Sequence, residues 1–259
     1  MTTTAQPGRF VWYELMTTDP AAAIDFYSHV AGWTTQKFGT GEYTMWVGPQ
    51  GPLGGVMTLA EEAKKMGAPP NWMANLEVAD LDAAVEKVKA LGGQVFVPPQ
   101  DVPTMGRFAV VADPQGATIA LFKPEGAMGS PDGTKVGAFG WHELMTTDHE
   151  AAFRFYNEIC GWEKISEFDM GPMGMYLIFG REGQRLGGMM TKPKDAPMPT
   201  AWLYYIRVAD LDAALERAKA KEARLLNGPM DVPGGERVAV LMDPQGAAFA
   251  LVSLPPSAT

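Results

Sequence analysis

Apolar and polar positions change period along the chain in a repeated order. The stretches "WYELMTTD" at residues 12–19 and "WHELMTTD" at 141–148 read as short β-strands. After the first, Asp19 and Pro20 supply a helix N-cap and first-turn proline. Ala23, Phe26, Tyr27 and Val30 then recur at helical spacing until Gly32 ends the run. A helix over about residues 20–31 is predicted, followed by the strand-like runs "TTQKF", "YTMWV" and "LGGVM". The pattern then starts again. The strand "NWMANLEV" leads to Asp80, which caps a helix with Leu81, Ala84, Val85, Val88 and Leu91 on one face, closed by Gly92 and Gly93. Strands "QVFV", "RFAVV" and "ATIALF" follow, the last two joined by "DPQG", with proline and glycine where a type I turn prefers them. Each half of the chain therefore reads strand-helix-strand-strand-strand, twice over.

The halves are copies. Glu14 matches Glu143 and Trp33 matches Trp162 at a shift of 129, while Trp72 with Trp202, Arg107 with Arg237 and "VADLDAA" and "DPQGA" with their second copies match at 130. The pair Gly54-Gly55 matches Gly187-Gly188 at 133, so small loop changes separate matching blocks. Two homologous domains are expected, at 1–124 and 138–259, with the Gly/Pro-rich residues 125–137 as linker.

Composition narrows the function classes. With 259 residues, 46% hydrophobic and 20% charged, the chain can bury a substantial core. A net charge of -9 without a basic run disfavours nucleic acid and anionic membrane as partners. The polar start "MTTTAQPGRF" lacks a signal-peptide core, and no apolar run approaches the roughly 20 residues of a membrane span. The single cysteine, Cys160, allows no intramolecular disulfide and, falling late in a helix, reads as a packing residue. A cytoplasmic protein is expected, as monomer or homodimer. The glycines of "GTGEYT" do not form a dinucleotide fingerprint, because Thr44 replaces the third glycine, and "G-x-S-x-G" is absent.

The βαβββ order, "DFY…GW" on the first helix, "VADLDAA" opening the second and "DPQG" before the last strand together resemble the vicinal-oxygen-chelate superfamily of glyoxalases, extradiol dioxygenases and bleomycin-resistance proteins. The resemblance covers nearly the whole chain. More particularly, the chain looks like the actinobacterial-type tandem members with "W-x-E-L-x-T-x-D" in both halves. It implies an α+β fold of four βαβββ units whose curved mixed sheets surround cavities. In metal-dependent members four strands each aim a His, Gln or Glu inward. Here those positions fall on Trp12, about Val56, Met73 and Ala120, and on Trp141, about Met189, Leu203 and Ala250. None is a usual ligand of a divalent metal. His29 and His149 fall on helices, and His142 falls one residue off the ligand position. No cofactor is expected; a metal held by Glu14 and Glu143 alone would lack neutral partner donors.

Strand alternation instead turns Trp12, Glu14 and Met16 inward with Met73 and Asn75, and Trp141, Glu143 and Met145 with Leu203 and Tyr205. This describes an apolar, aromatic wall carrying one acid. Seventeen methionines suit such adaptable walls, although simple core filling explains most of them. Tyr43 and Tyr176 match between halves and read as packing residues with a hydroxyl near the rim. Two roles are open for Glu14 and Glu143. One is structural, pairing with Arg107 and Arg237 to hold strands together. The other is functional, as general base or as acceptor for a ligand hydroxyl or amine. The expected function is a glyoxalase/bleomycin-resistance-like protein binding a small, partly apolar organic molecule. Its alternatives are metal-dependent glyoxalase or dioxygenase catalysis and a non-catalytic interaction protein.

Overall fold

The computed structural model describes residues 7–39, 43–126, 132–195 and 198–254. Part of "GTGEYT" and part of the expected linker, residues 40–42 and 127–131, lie outside the described residues. The first half runs β1 (Phe10–Thr17), α1 (Pro20–Ala31), β2 (Thr34–Lys37), β3 (Thr44–Gly48), β4 (Gly51–Thr58), α2 (Glu61–Lys65), β5 (Asn71–Glu77), α3 (Leu81–Ala90), β6 (Gln94–Val102), β7 (Gly106–Ala112) and β8 (Thr118–Pro124). The second runs β9 (Phe139–Thr146), α4 (His149–Cys160), β10 (Glu163–Asp169), β11 (Met175–Arg181), β12 (Gln184–Thr191), β13 (Ala201–Arg207), α5 (Leu211–Ala220), β14 (Arg224–Asp231), β15 (Arg237–Met242) and β16 (Ala248–Ser253). Two mixed eight-stranded sheets result, ordered β2-β3-β4-β1-β5-β8-β7-β6 and β10-β11-β12-β9-β13-β16-β15-β14. The α+β fold of four βαβββ units is present.

Local chemistry accounts for the helices. Asp19, Asp80, Asp148 and Asp210 each accept a hydrogen bond from the backbone N–H three residues on, at 2.9–3.0 Å, so all four long helices start on a side-chain cap. Gly32 and Gly161 end α1 and α4 in the left-handed conformation, at φ 72° in both. On β1 the residues Val11, Tyr13, Leu15 and Thr17 are buried while Trp12, Glu14 and Met16 are half-buried, and β9 repeats this with His142, Leu144 and Thr146 buried. Parallel pairing places Glu14 beside Gly55, Leu15 beside Val56 and Met16 beside Met57. In β9 and β12 the partners are Glu143 with Gly188, Leu144 with Met189 and Met145 with Met190.

The chain divides into two compact units that do not follow its halves. One comprises Met1–Val11, Met73–Ser130 and His142–Trp202; the other comprises Trp12–Trp72, Pro131–Trp141 and Leu203–Thr259. In the second unit Tyr27, Trp33, Trp46, Trp72 and Phe139 form an aromatic core, with centroids of Tyr27 and Trp72 5.1 Å apart. Tyr27 donates to Asp243 at 3.0 Å and accepts from Trp72 Nε1 at 2.8 Å. In the first unit Tyr156, Trp162, Phe179 and Trp202 form the matching core. There Tyr156 donates to Asp113 at 3.3 Å and accepts from Trp202 at 3.1 Å. Asp113 and Asp243 are the first residues of the two "DPQG" turns, and burial raises both carboxyls above the usual aspartate range, against backbone donors that lower them.

Candidate functional site

Because strand residues two apart share a face, β1 presents Trp12, Glu14 and Met16 together. The glutamate is held by aromatic donors. Trp12 Nε1 donates to Glu14 Oε1 at 2.9 Å and also to the Tyr43 oxygen at 2.8 Å, while the Tyr43 hydroxyl donates to the same Oε1 at 2.5 Å. Oε2 is buried and accepts no hydrogen bond. Burial is the largest influence on this carboxyl and raises its pKa; the bonds from Tyr43 and Trp12 act the other way. Burial and the neighbouring Glu14 charge likewise raise the Tyr43 phenol, so its proton stays on oxygen at neutral pH.

Gly55 makes the arrangement sterically feasible. A Cβ there would overlap the Tyr43 hydroxyl and stand 2.6 Å from Glu14 Oε2. Its neighbour Gly54 has a different duty, since a Cβ would collide with the backbone carbonyl of Tyr13 as β4 runs beside β1. The second half repeats both features. The Tyr176 hydroxyl donates to Glu143 Oε2 at 2.8 Å, a Cβ on Gly188 would overlap the Tyr176 ring and hydroxyl, and one on Gly187 would meet the carbonyl of His142.

Several expectations change. Arg107 does not pair with Glu14: its guanidinium binds Asp82 at 2.6 Å and Asp101 at 2.9 Å. Arg237 does not pair with Glu143, binding Asp212 at 2.7 Å with Asp231 at 3.6 Å. In each half the arginine opens its strand beside the helix whose first turn carries the aspartate, and that local partner wins. Tyr43 and Tyr176, expected to pack, are the direct partners of the two glutamates. Val56 and Met189, taken as ligand positions, pair with Leu15 and Leu144 on the buried face; Gly55 and Gly188 occupy the glutamate face.

The remaining candidates fall as follows. Trp141, Leu203 and Tyr205 are brought together in one apolar cluster with Val238, Ala250 and Val252. Met73 and the buried Asn75 lie on β5, Asn75 in register with Ala120 on β8. Met16 and Met145 lie beside Met57 and Met190. His142 is buried and stacked on Phe10 at 3.7 Å, and desolvation pushes its pKa down to about 4. Cys160 is buried, with its thiol pKa raised by burial. A cleft of about 240 Å³ elsewhere is lined by His29, Gly32, Val136, Asp210 and Arg217. There Arg217 donates to the carbonyls of His29 and Val30, which explains it as the capped end of α1.

Among the described residues no three His, Cys, Asp or Glu side chains converge. The donors around Glu14 are an indole and a phenol, which do not fit a divalent metal.

The family described as "Glyoxalase/Bleomycin resistance protein/Dioxygenase superfamily" matches residues 9–121 and 138–251. The chain belongs to this superfamily. It is 32% identical over 249 residues to "Putative glyoxylase CFP32" of Mycobacterium tuberculosis, covering 95% of this chain and 94% of that protein. It is also 32% identical over 266 residues to "Anthracycline biosynthesis protein DnrV" of Streptomyces peucetius, covering 96% and 94%. Solved superfamily members share the fold at low identity. The 2,3-dioxygenase LapB from Pseudomonas sp. KL28 superposes with TM-score 0.65 at 11% identity, over 99% of this chain and 94% of that one. The Mn(II)-bound glyoxalase from Novosphingobium aromaticivorans gives 0.62 at 17%, over 96% and 82%. No helix among the described residues is long and apolar enough to cross a membrane.

Proposed function

We propose that this superfamily member binds a small, partly apolar organic molecule against the Trp12–Glu14–Met16 face, without a metal ion. The observation that carries the reading is a half-buried carboxylate on an apolar strand face whose partners are Trp12 and Tyr43 rather than a cation. A structural ion pair would neutralise such a group; here its charge remains available to a guest. The repeat of the glutamate, tyrosine and glycine in the second half supports a role beyond one local packing accident. Relatives at 32% identity are named for glyoxylase chemistry and for anthracycline biosynthesis, both concerned with small organic molecules. The reading extends to a cytoplasmic protein, monomeric or homodimeric, with no nucleic-acid or membrane partner, in keeping with a net charge of -9.

A thermal-shift screen of aromatic and apolar small molecules tests the proposal, because a ligand of the native state raises the melting temperature. Hits are expected to lose about ten-fold in affinity in Glu14→Gln, the worth of one charge-assisted hydrogen bond. Elemental analysis of protein purified without a metal-binding tag should find less than one transition metal per chain. Stoichiometric nickel, zinc, manganese or iron would instead establish the metal-dependent alternative.

A further inference from the structure

We infer that the molecule engaging Glu14 must bring a hydrogen-bond donor, an ammonium or a phenolic hydroxyl, and that anions are rejected there. This rests on the small-molecule reading of the site above and adds the ligand's polar chemistry. The argument is a count of donors and acceptors. The Trp12 N–H is spent on Glu14 Oε1 and the Tyr43 oxygen. The single Tyr43 proton is spent on the same Oε1. The tryptophan and tyrosine thus have no proton left for a guest. Oε2 of Glu14 accepts nothing. Next to Glu14 on β1 and β4, Met16 and its strand partner Met57 offer thioethers, which accept weakly and donate nothing. A ligand carboxylate or phosphate brought to Oε2 would meet a second negative charge and no free proton from Trp12 or Tyr43. A donor would complete the one unsatisfied group.

Oε2 lies near Gly55, 2.6 Å from where a Cβ would stand. A guest reaches Oε2 by displacing what covers it on the half-buried face that Trp12 and Met16 share, since turning the carboxylate would take Oε1 off Trp12 and Tyr43. Met57, 40% exposed, borders that face and offers a thioether for an apolar ring to cover.

The experiment uses three probes on one naphthalene frame: 2-naphthylmethylamine, 2-naphthol and 2-naphthoate, titrated against the full chain by isothermal calorimetry at neutral pH. The amine and the naphthol are expected to bind about ten-fold or more tighter than the naphthoate. In Glu14→Gln that gap should close to within about three-fold, because the amide offers a donor where Oε2 stood. Naphthoate binding as tightly as the amine would overturn the inference while leaving the small-molecule reading intact. So would a gap unchanged in Glu14→Gln, since the overall charge of -9 would then be what discriminates. Failure of all three probes to bind would overturn the small-molecule reading and this inference with it. Circular dichroism of the variant, matching the wild type, shows that the site is compared in a folded chain.

Discussion

At the scale of single residues, Glu14 shows how burial and partners compete. Desolvation raises its pKa above the ordinary 4.5, so its charged form at neutral pH costs stability, in spite of two donors on Oε1. A raised carboxyl contributes fully only below its unfolded pKa, and that contribution is lost as pH rises through the folded value. Glu14→Gln is therefore expected to melt no lower than wild type at pH about 7.5, with any advantage vanishing as pH falls toward about 4.5. The amide oxygen can keep the bonds from Trp12 and Tyr43, and its nitrogen replaces an oxygen that accepts nothing. Paired thermal melts across that range check it; a large loss of melting temperature at neutral pH would mean the carboxylate is structural. The arginines teach the opposite lesson. Arg107 and Arg237 each stand 25 residues after the aspartate they bind, Asp82 and Asp212, and this recurring acid-base spacing was visible in both halves of the sequence. An inward glutamate drew the arginine on grounds of charge alone, whereas a first-turn aspartate beside the strand was the nearer partner.

At the scale of elements, the "GG" pair in β4 and β12 separates into two functions. Gly54 and Gly187 allow close approach of parallel strands, since a Cβ would strike the backbone carbonyls of Tyr13 and His142. Gly55 and Gly188 leave room for a tyrosine to reach its glutamate. Gly54→Ala must move backbone and should destabilise by about 3 kcal/mol or more; Gly55→Ala can displace the Tyr43 side chain and should cost about 1–3 kcal/mol. Urea denaturation measures both. Equal costs, or a larger one for Gly55→Ala, would contradict this division. Helix ends were legible from sequence because capping is local: Asp19, Pro20 and Gly32 act within a few residues, and α1 runs Pro20–Ala31. The strand faces were less so. The position "about Val56" misses by one residue, and one residue in a strand reverses the face.

At the scale of the whole molecule, the two compact units each draw on both halves of the chain. Within one unit the "DFY" tyrosine Tyr27 meets the "DPQG" aspartate Asp243, 216 residues away; within the other, Tyr156 meets Asp113. Tyr27 links Trp72 and Asp243 in a buried chain of hydrogen bonds, so Tyr27→Phe leaves both partners short. It should destabilise by about 1–3 kcal/mol, read as a shift in the urea midpoint. A neutral result would show that these motifs do not hold the unit together. Charge is exchanged between halves without loss of pairing. Glu77 is matched in sequence by Arg207, yet each finds an opposite partner, Arg9 at 2.9 Å and Glu236 at 2.8 Å.

The sequence by itself determined the repeat, the βαβββ order, the helix ends and the shared face of Trp12, Glu14 and Met16, because periodicity, capping and alternation act over a few residues and recur in both halves. Only the tertiary structure decided what the glutamates touch. Tyr43 lies 29 residues from Glu14, on the far side of a helix and another strand in sequence, and reaches it because β4 lies between β3 and β1 with Gly55 under the hydroxyl. Such a contact depends on register and on the absence of one Cβ. Neither is a property of any short stretch of chain.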